Sequence, residues 1–498
     1  MCGILAVKSR IPLPASQHRA ALDILKQRGP DFVVQKQVGT VFIAQTVLHI
    51  TGTAKFYSRD IPDGFAYNGE IYDHKWFGPG DNDIELAYST ARSRPDKFQY
   101  FEGPWAWAYT INDTLIYASD TQGERCLYHY QDDDILIVSS EVAAILTYIK
   151  PQHQSVPYRN KSWTMIEETP WQGVRRCRPG VLYRNGNKDR IIDSIWNWIK
   201  PQPLTNEQIW DKFQQVIDRW HRTIAPSEPA TLSYSGGLDS NIIMNNLRGM
   251  ELLSVNTVGK DYIVEQATKF LNTEEQQRFK QIDVDPQQWA QHYRDMIVRT
   301  QMPAQSWSHV GRWLIAKHAV NRIIFTGLAA DELFGGYDCY RQIEYTTDHS
   351  TSPYSSDDHD SIWDQCLNAY NGDPRQATLL MDYWYQIVGV DAPGADRLGG
   401  CWGKETRNPF MLKSVMEFAL NLPWDAKVGK HGKLPIRKEF LRRWPERLIF
   451  TKQGFAGHAN DSLPWLGIDI NSSGNRHRDW QTIAQQTFYS YTNAQSTG

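Results

Sequence analysis

The hydrophobic residues of this chain follow two different rhythms. From Met1 to about Tyr183 they come in short β-prone runs separated by turn residues, as in Thr40-Val41-Phe42-Ile43-Ala44, Phe65-Ala66-Tyr67, Trp105-Ala106-Trp107-Ala108-Tyr109 and Asp134-Ile135-Leu136-Ile137-Val138. One helix candidate, His18 to Gln27, interrupts them. This pattern predicts an α+β layered domain built on two packed antiparallel sheets. Around Ile191 to Pro203 the chain turns to Trp and Pro, and Thr205-Asn206-Glu207-Gln208 supplies a T-x-x-Q capping box for a helix reaching about Thr223. A domain boundary is expected near residue 200.

Beyond that boundary apolar strands alternate with helical stretches. Ala230–Tyr234, Glu251–Thr257, Phe279–Val284 and Arg322–Thr326 read as strands, with helices near 240–249, 262–271, 286–299 and 307–320. A β-α-β-α rhythm implies a parallel sheet covered on both faces, with its ligand beyond the carboxyl ends of the strands. Residues 360–450 are helix-rich, as in Asp360–Asn371 and Lys413–Leu422, and extend this second domain over 201–470. Ser350 to Ser361 reads as an exposed loop and 471–498 as a polar tail.

Composition narrows the class without naming the chemistry. At 498 residues the chain is too long for one core. Hydrophobic residues at 41%, charged residues at 22% and a net charge of −3 describe a soluble globular protein with no basic footprint for nucleic acid or an anionic membrane. Six cysteines without a C-x-x-C pair argue against a zinc site or a disulfide framework and fit a reducing cytoplasm. No apolar run approaches the ~20 residues of a membrane span. The start, MCGILAVKSR, lacks the features of a secretion signal.

The sharpest chemical signal is Thr231 to Ser240, TLSYSGGLDS, a β-prone run leading into a helix. Gly236 and Gly237 let backbone approach an anion, the following helix N-terminus faces it, and Ser235 and Ser240 add donors. Asp239 is left to hold a magnesium ion. No GxxxxGK[ST] is present, so this is not a Walker loop. S-G-G-x-D-S resembles instead the loop of ATP pyrophosphatases, which cleave ATP between its α and β phosphates and leave an adenylated substrate.

At the amino terminus Cys2 follows Met1. Freed of Met1, its α-amine, with an ordinary pKa of ~7.7–8.0, serves as base for its own thiol. Cys2-Gly3-Ile4, Arg28-Gly29-Pro30-Asp31, Tyr67-Asn68-Gly69-Glu70-Ile71-Tyr72 and Asp83-Ile84-Glu85 together resemble the class II glutamine amidotransferases. That resemblance implies an N-terminal-nucleophile αββα fold in which Cys2 attacks the glutamine side-chain amide. Asn68 and Gly69 would form the oxyanion hole, Asn68, Gly69, Glu70 and Asp83 would bind glutamine, and Arg28 would be structural.

With the pyrophosphatase loop on the same chain, nearly the whole length resembles the asparagine synthetase family. Thr326-Gly327-Leu328-Ala329-Ala330-Asp331-Glu332-Leu333-Phe334-Gly335-Gly336-Tyr337 is similar to S-G-E-G-S-D-E-x-F-G-G-Y, and Gly403 to Phe410 to G-V-E-A-R-V-P-F. Gly432-Lys433 and Lys452-Gln453-Gly454-Phe455 complete the match. It implies that Ser233, Ser235, Gly236, Gly237, Asp239, Ser240, Asn256, Thr326 and Gly327 bind ATP, that Asp239 and Asp331 share Mg2+, and that Lys452 is a catalytic cation. The implied reaction joins ammonia from glutamine to aspartate through an acyl-adenylate, releasing AMP and pyrophosphate. Its partners are small molecules; a homodimer is compatible.

Two places depart from the family. Val47-Leu48-His49-Ile50 stands where R-L-S-I carries the Arg that pairs with the glutamine α-carboxylate, and valine supplies no charge-assisted pair. His49, Lys55 and Arg59 are the nearby candidates to replace it. In the acceptor region Leu328 replaces a Glu, and Ala304-Gln305-Ser306-Trp307 stands where the family has R-A-S-T. A pocket without that carboxylate and Arg recognises aspartate poorly, which makes another carboxylic acid, as in β-lactam synthetase-like enzymes, the alternative acceptor. Retention of Cys2 favours use of ammonia. A nucleotide- or tRNA-modifying pyrophosphatase and a non-catalytic binding protein are the readings from other classes; the missing C-x-x-C pairs and basic patch weigh against the former.

Overall fold

A computed structural model describes residues 1–50, 64–77, 82–150, 152, 166–201, 203–226, 228–258, 265, 267–269, 271–303, 308–342, 359–429 and 431–445. The amino-terminal half is built from strands β1 (Gly3–Ser9), β2 (Phe32–Val38), β3 (Val41–Val47), β4 (Gly64–Gly69), β5 (Trp105–Ile111), β6 (Thr114–Ser119), β7 (Tyr128–Gln131), β8 (Ile135–Ser139), β9 (Arg175–Arg176), β10 (Val181–Arg184) and β11 (Asn187–Ile191). They form two antiparallel sheets, in the orders β2-β3-β1-β8-β7-β9 and β11-β10-β6-β5-β4.

Alternation along the strands dictates the layers, because successive side chains leave opposite faces of a sheet. Ile4 and Ala6 of β1 enter the core between the sheets with Ala66, Ala106, Ala108 and Val138. Leu5 and Val7 point the other way, against Ala21, Leu22 and Leu25 of the helix Ala15–Leu25. On the second sheet the small alanines of β5 face inward, and Trp105, Trp107 and Tyr109 face outward onto Ile84, Ala87 and Ala91 of the helix Asp83–Ser93. Small residues inside let the sheets approach; large aromatics outside fill the space under the helix. The result is the αββα stack expected from the sequence.

The second half holds a five-stranded, wholly parallel sheet of β12 (Ala230–Ser233), β13 (Glu251–Thr257), β14 (Phe279–Val284), β15 (Ile323–Phe325) and β16 (Glu405–Arg407), in the order β14-β13-β12-β15-β16. Order reverses at β12, so the crevice beyond β12 and β15 is the switch point where such sheets bind ligands. The helix Asn206–Thr223 begins with the reciprocal capping box at Thr205 and Gln208. Its Ile209, Phe213, Ile217 and Trp220 form one buried stripe, and an Ile217→Ala change there costs about 2–5 kcal/mol.

Most predicted elements lie within a few residues of their expected places: Ala15–Leu25 for 18–27, Leu238–Asn246 for 240–249, Pro286–Thr300 for 286–299 and Ser308–His318 for 307–320. The helix expected over 262–271, the loop 350–361 and the tail 471–498 fall largely or wholly outside the described residues. Two features went unpredicted. Strand β16 is three residues long, too short for a periodic signal. A buried π-helical segment, Tyr383–Asp391, joins two α-helices and reads in sequence as uninterrupted helix.

The halves share a densely bonded seam. Arg28 pairs with Asp396 at 2.7 Å, Arg322 with Asp31 at 2.7 Å, and Arg176 Nη1 donates to the Val388 carbonyl at 2.8 Å. Trp171 Nε1 donates to the Gln301 carbonyl at 2.9 Å.

Candidate active sites

In the amino-terminal half the end of the chain enters β1 beside the end of β4. The Cys2 backbone N–H donates to Asn68 Oδ1 at 2.8 Å, bringing the expected nucleophile and oxyanion residue together. With Met1 in place that nitrogen is an amide, and the terminal amine belongs to Met1, buried 4.0 Å from Glu405 Oε2. Burial lowers the amine to about 6, opposed by Glu405. Next to Asn68, a Cβ on Gly69 would lie 2.2 Å from the Pro104 carbonyl oxygen, so only glycine fits that turn. Arg28 Nε donates to the Cys2 carbonyl at 3.0 Å while its other nitrogens bond Glu141 at 2.6 Å and Asp396 at 2.7 Å. A fully buried guanidinium thus anchors the backbone of Cys2.

A cavity of about 30 Å³ opens beside Cys2, walled by Tyr67, Gly69, Glu70, Asp83 and, from the second half, Glu405. Asp83 sits in the first helical turn behind the Asn82 cap, and its Oδ2 accepts the Ile71 N–H at 3.1 Å and the Tyr67 hydroxyl at 3.3 Å. Burial pushes its carboxyl up to about 6 despite those bonds. Glu70 does not stand alone: its carboxylate pairs with Arg407 across the seam, and Arg407 Nε also holds Glu405 at 2.8 Å. Burial raises Glu70 to about 8, whereas Arg407 and its neighbours overcome burial at Glu405 and bring it to about 2. Met1, Val47, Leu48, Ile50 and Ile84 form the remaining wall, and no Arg or Lys is among the described residues lining the cavity. The backbone of His49 bonds across the seam, its N–H donating to Asp31 and its carbonyl accepting from Arg322, while its imidazole Nε2 is buried without a hydrogen-bond partner among the described residues and the residue is not among those lining the cavity. Lys55 and Arg59 lie outside the described residues.

At the switch point of the parallel sheet the glycine loop leaves β12. Gly236 has φ +71°, and a Cβ there would lie 2.3 Å from the Ala267 Cα, which demands glycine on both counts. The Gly237 N–H donates to Ser235 Oγ at 3.3 Å, Ser240 Oγ donates to the Gly237 carbonyl at 3.0 Å, and Asn241 Nδ2 bonds the Gly236 and Gly237 carbonyls at 2.8 and 3.0 Å. Ser233 ends β12; Asn256, at the end of β13, donates to Asp283 Oδ1 at 2.7 Å.

The second loop, after β15, closes on the first: a Cβ on Gly327 would sit 2.9 Å from Asp239 Cβ. Thr326 Oγ1 donates to Asn408 Oδ1 at 2.6 Å, and Asn408 Nδ2 donates to Glu124 of the amino-terminal half at 2.7 Å. Asp239 and Asp331 converge on one atom, Lys433 Nζ, at 2.5 and 2.7 Å. Burial lowers the Lys433 ammonium, but the two carboxylates more than offset this and hold its pKa above the ordinary lysine value. Two hard oxygen donors meeting at a cation's position fit Mg2+, which takes one or two carboxylates and fills its octahedron with phosphate oxygens and water. Among the described residues no cluster of three or more metal-binding side chains exists.

Lys452 and Ala304 to Trp307 lie outside the described residues. Leu328, in the Glu position of the family motif, is buried within the main hydrophobic core. Sequence reasoning missed the partnership of Lys433 with both aspartates and the reach of Glu405 and Arg407 into the other half. Their motifs were visible, but partners 194 and about 340 residues away are brought near only by folding.

Comparison with known proteins finds two families along the chain. The glutamine amidotransferase domain family matches residues 1–196 and the asparagine synthase family residues 221–463. An amidase, chyE, of Penicillium rubens is 23% identical over 372 residues, covering 64% of this chain and 55% of that protein. Asparagine synthetase 1 of Bacillus subtilis is 21% identical over 390 residues, covering 69% and 60%. The root asparagine synthetase of Pisum sativum is 23% identical over 492 residues, covering 89% and 74%. The chain therefore spans less than two thirds of the length of the first two relatives. From both matches, in this order on one chain, it follows that the protein belongs to the asparagine synthase family, with a glutamine amidotransferase domain ahead of its synthase domain.

Proposed function

We propose that this chain is an ATP-dependent amide-forming ligase that takes nitrogen from glutamine and releases AMP and pyrophosphate. The convergence of Asp239 and Asp331 on a single cation position beside the Gly236–Gly237 loop carries this reading. In the amino-terminal domain, ending near residue 200, Cys2 attacks the glutamine side-chain amide once Met1 has been removed. The freed α-amine takes the thiol proton, Asn68 and Gly69 face the oxyanion, and Asp83 with Glu70 meets the substrate ammonium. Ammonia leaves, and water releases glutamate from the thioester.

In the synthase domain the loop N–H groups and Ser235 orient the β and γ phosphates, with the ribose and base along Ser233, Asn256, Thr326 and Gly327. Mg2+ held by Asp239 and Asp331 supplies charge neutralisation on the phosphates when bound. A carboxylate oxygen of the acceptor attacks the α-phosphorus and expels pyrophosphate. Ammonia then attacks the acyl carbon, loses a proton and displaces AMP, with Lys452 offsetting developing negative charge. Lys433 moves its ammonium from the two aspartates to the departing pyrophosphate.

Aspartate is the acceptor this family membership favours. A second reading, another carboxylic acid, rests on Leu328: a buried leucine in place of a glutamate offers aspartate's ammonium no partner. Incubation with Mg-ATP, glutamine and a panel of acids, scoring AMP and amide together, tests both. AMP with asparagine supports the first and AMP with another amide the second; ADP formation contradicts both.

A further inference from the structure

A cavity of about 860 Å³ lies on the seam, away from both reaction centres. Its amino-terminal wall comes from Ile24, Gln27, Leu146 and Trp171, its carboxyl-terminal wall from Arg299, Lys317, Trp313 and Trp402. Sites of a few hundred to about 1,000 Å³ at domain junctions, apolar with a few converging polar groups, are the usual form of small-molecule pockets. Here three tryptophans join aliphatic residues in the lining, and two of its polar groups, Arg299 and Lys317, are cations.

Trp402 is the floor. The Arg299 guanidinium lies 4.4 Å from its ring centroid, the Lys317 ammonium lies 6.0 Å from it, and Trp313 meets its edge at 5.0 Å. Arg299 is only partly satisfied: Nε donates to Gln27 Oε1 and Nη2 to the Cys401 carbonyl, both at 2.7 Å, and Nη1 donates to no described residue. Lys317 donates to no described residue either. Asp295 is the single carboxylate in the lining. Positive charge with unused donors, set on flat aromatic surface, selects an anion with a flat apolar body.

The geometry points to a binding site for an aromatic carboxylate bridging the two domains. Such a ligand stacks on the exposed indole surface and places its carboxylate between Arg299 Nη1 and Lys317 Nζ. Occupancy ties the halves together at Gln27, which adjoins the Cys2-anchoring Arg28, and at Trp402, three residues before Glu405 of the glutamine-side cavity. It therefore stiffens the seam between the two halves.

The test uses the full chain and 4-nitrobenzoate, which quenches tryptophan fluorescence, with 4-nitrobenzyl alcohol as neutral control; affinities are confirmed by calorimetry. Saturable quenching by the carboxylate, at least about tenfold weaker for the alcohol and about tenfold weaker in each of R299Q and K317Q, is the expected result. Lys317 is exposed and outside the seam's hydrogen bonds, so K317Q stays informative if R299Q fails to fold. No saturation up to about 5 mM, or equal affinity for acid and alcohol with no loss in K317Q, overturns the proposal.

Discussion

Replacing Lys433 by Met removes the cation that two carboxylates share. In the wild type its ammonium lies 2.5 Å from Asp239 and 2.7 Å from Asp331, and the three side chains are 6%, 20% and 16% exposed. Removing one partner from a fully buried ion pair costs about 3–5 kcal/mol, because the charge left behind is uncompensated. Residual exposure of the aspartates screens part of this, so about 2–4 kcal/mol is expected. Methionine keeps most of the side-chain volume, so the loss is electrostatic. The assay is urea unfolding followed by tryptophan fluorescence, comparing midpoints because a two-domain chain need not unfold in one step. Without divalent ions, Lys433→Met should unfold at distinctly lower urea; added Mg2+ should recover part of the difference, since it occupies the vacated position. Adenylation, measured by exchange of pyrophosphate into ATP, should fall by roughly 10²–10³, the effect of removing one preorganised charge-stabilising donor. An unchanged midpoint, or full exchange activity, would refute the assignment of Lys433 to this site.

Cys2→Ala should abolish amide formation from glutamine and leave that from ammonium salts intact, as read by parallel product assays. Arg28→Met should destabilise by about 3–5 kcal/mol, since Glu141 and Asp396 would remain buried with only Arg125, 3.8 Å from Asp396, still paired; a midpoint within error of wild type speaks against the role given to Arg28. Gly236→Val should prevent ATP binding in calorimetry, because its φ of +71° and the nearby Ala267 backbone both exclude a side chain. Asp83 adds a pH signature. Its native carboxyl titrates near 6 against an ordinary 3.8, so between those values the folded state binds more protons and stability falls as pH rises. Asp83→Asn should flatten that decline, and a constant offset between the two proteins from pH about 4 to 7 would count against it.

The layered halves were readable because their signals are local. Alternation of Ala with Trp and Tyr along Trp105–Tyr109 states both the strand and its two faces, and the Thr205–Gln208 capping box marks a helix start within four residues. The glycine loop was equally legible, since Gly236, with φ +71° and the Ala267 backbone against it, answers a requirement that no other residue meets. What escaped is nonlocal. Nothing in the sequence around Glu70 shows that Arg407, from the other half, holds its carboxylate. Glu405 reads as part of a synthase motif, yet it walls the cavity beside Cys2. The seam cavity left no trace, since Gln27, Arg299 and Trp402 belong to no motif and meet only when the sheets and helices pack.

Attack on the α-phosphorus carries an oxygen of the acceptor into AMP. With a carboxylate labelled by heavy oxygen, glutamine and Mg-ATP, mass spectrometry of the nucleotide product should find one labelled oxygen in AMP and none in pyrophosphate. Label recovered in orthophosphate alongside ADP would contradict it.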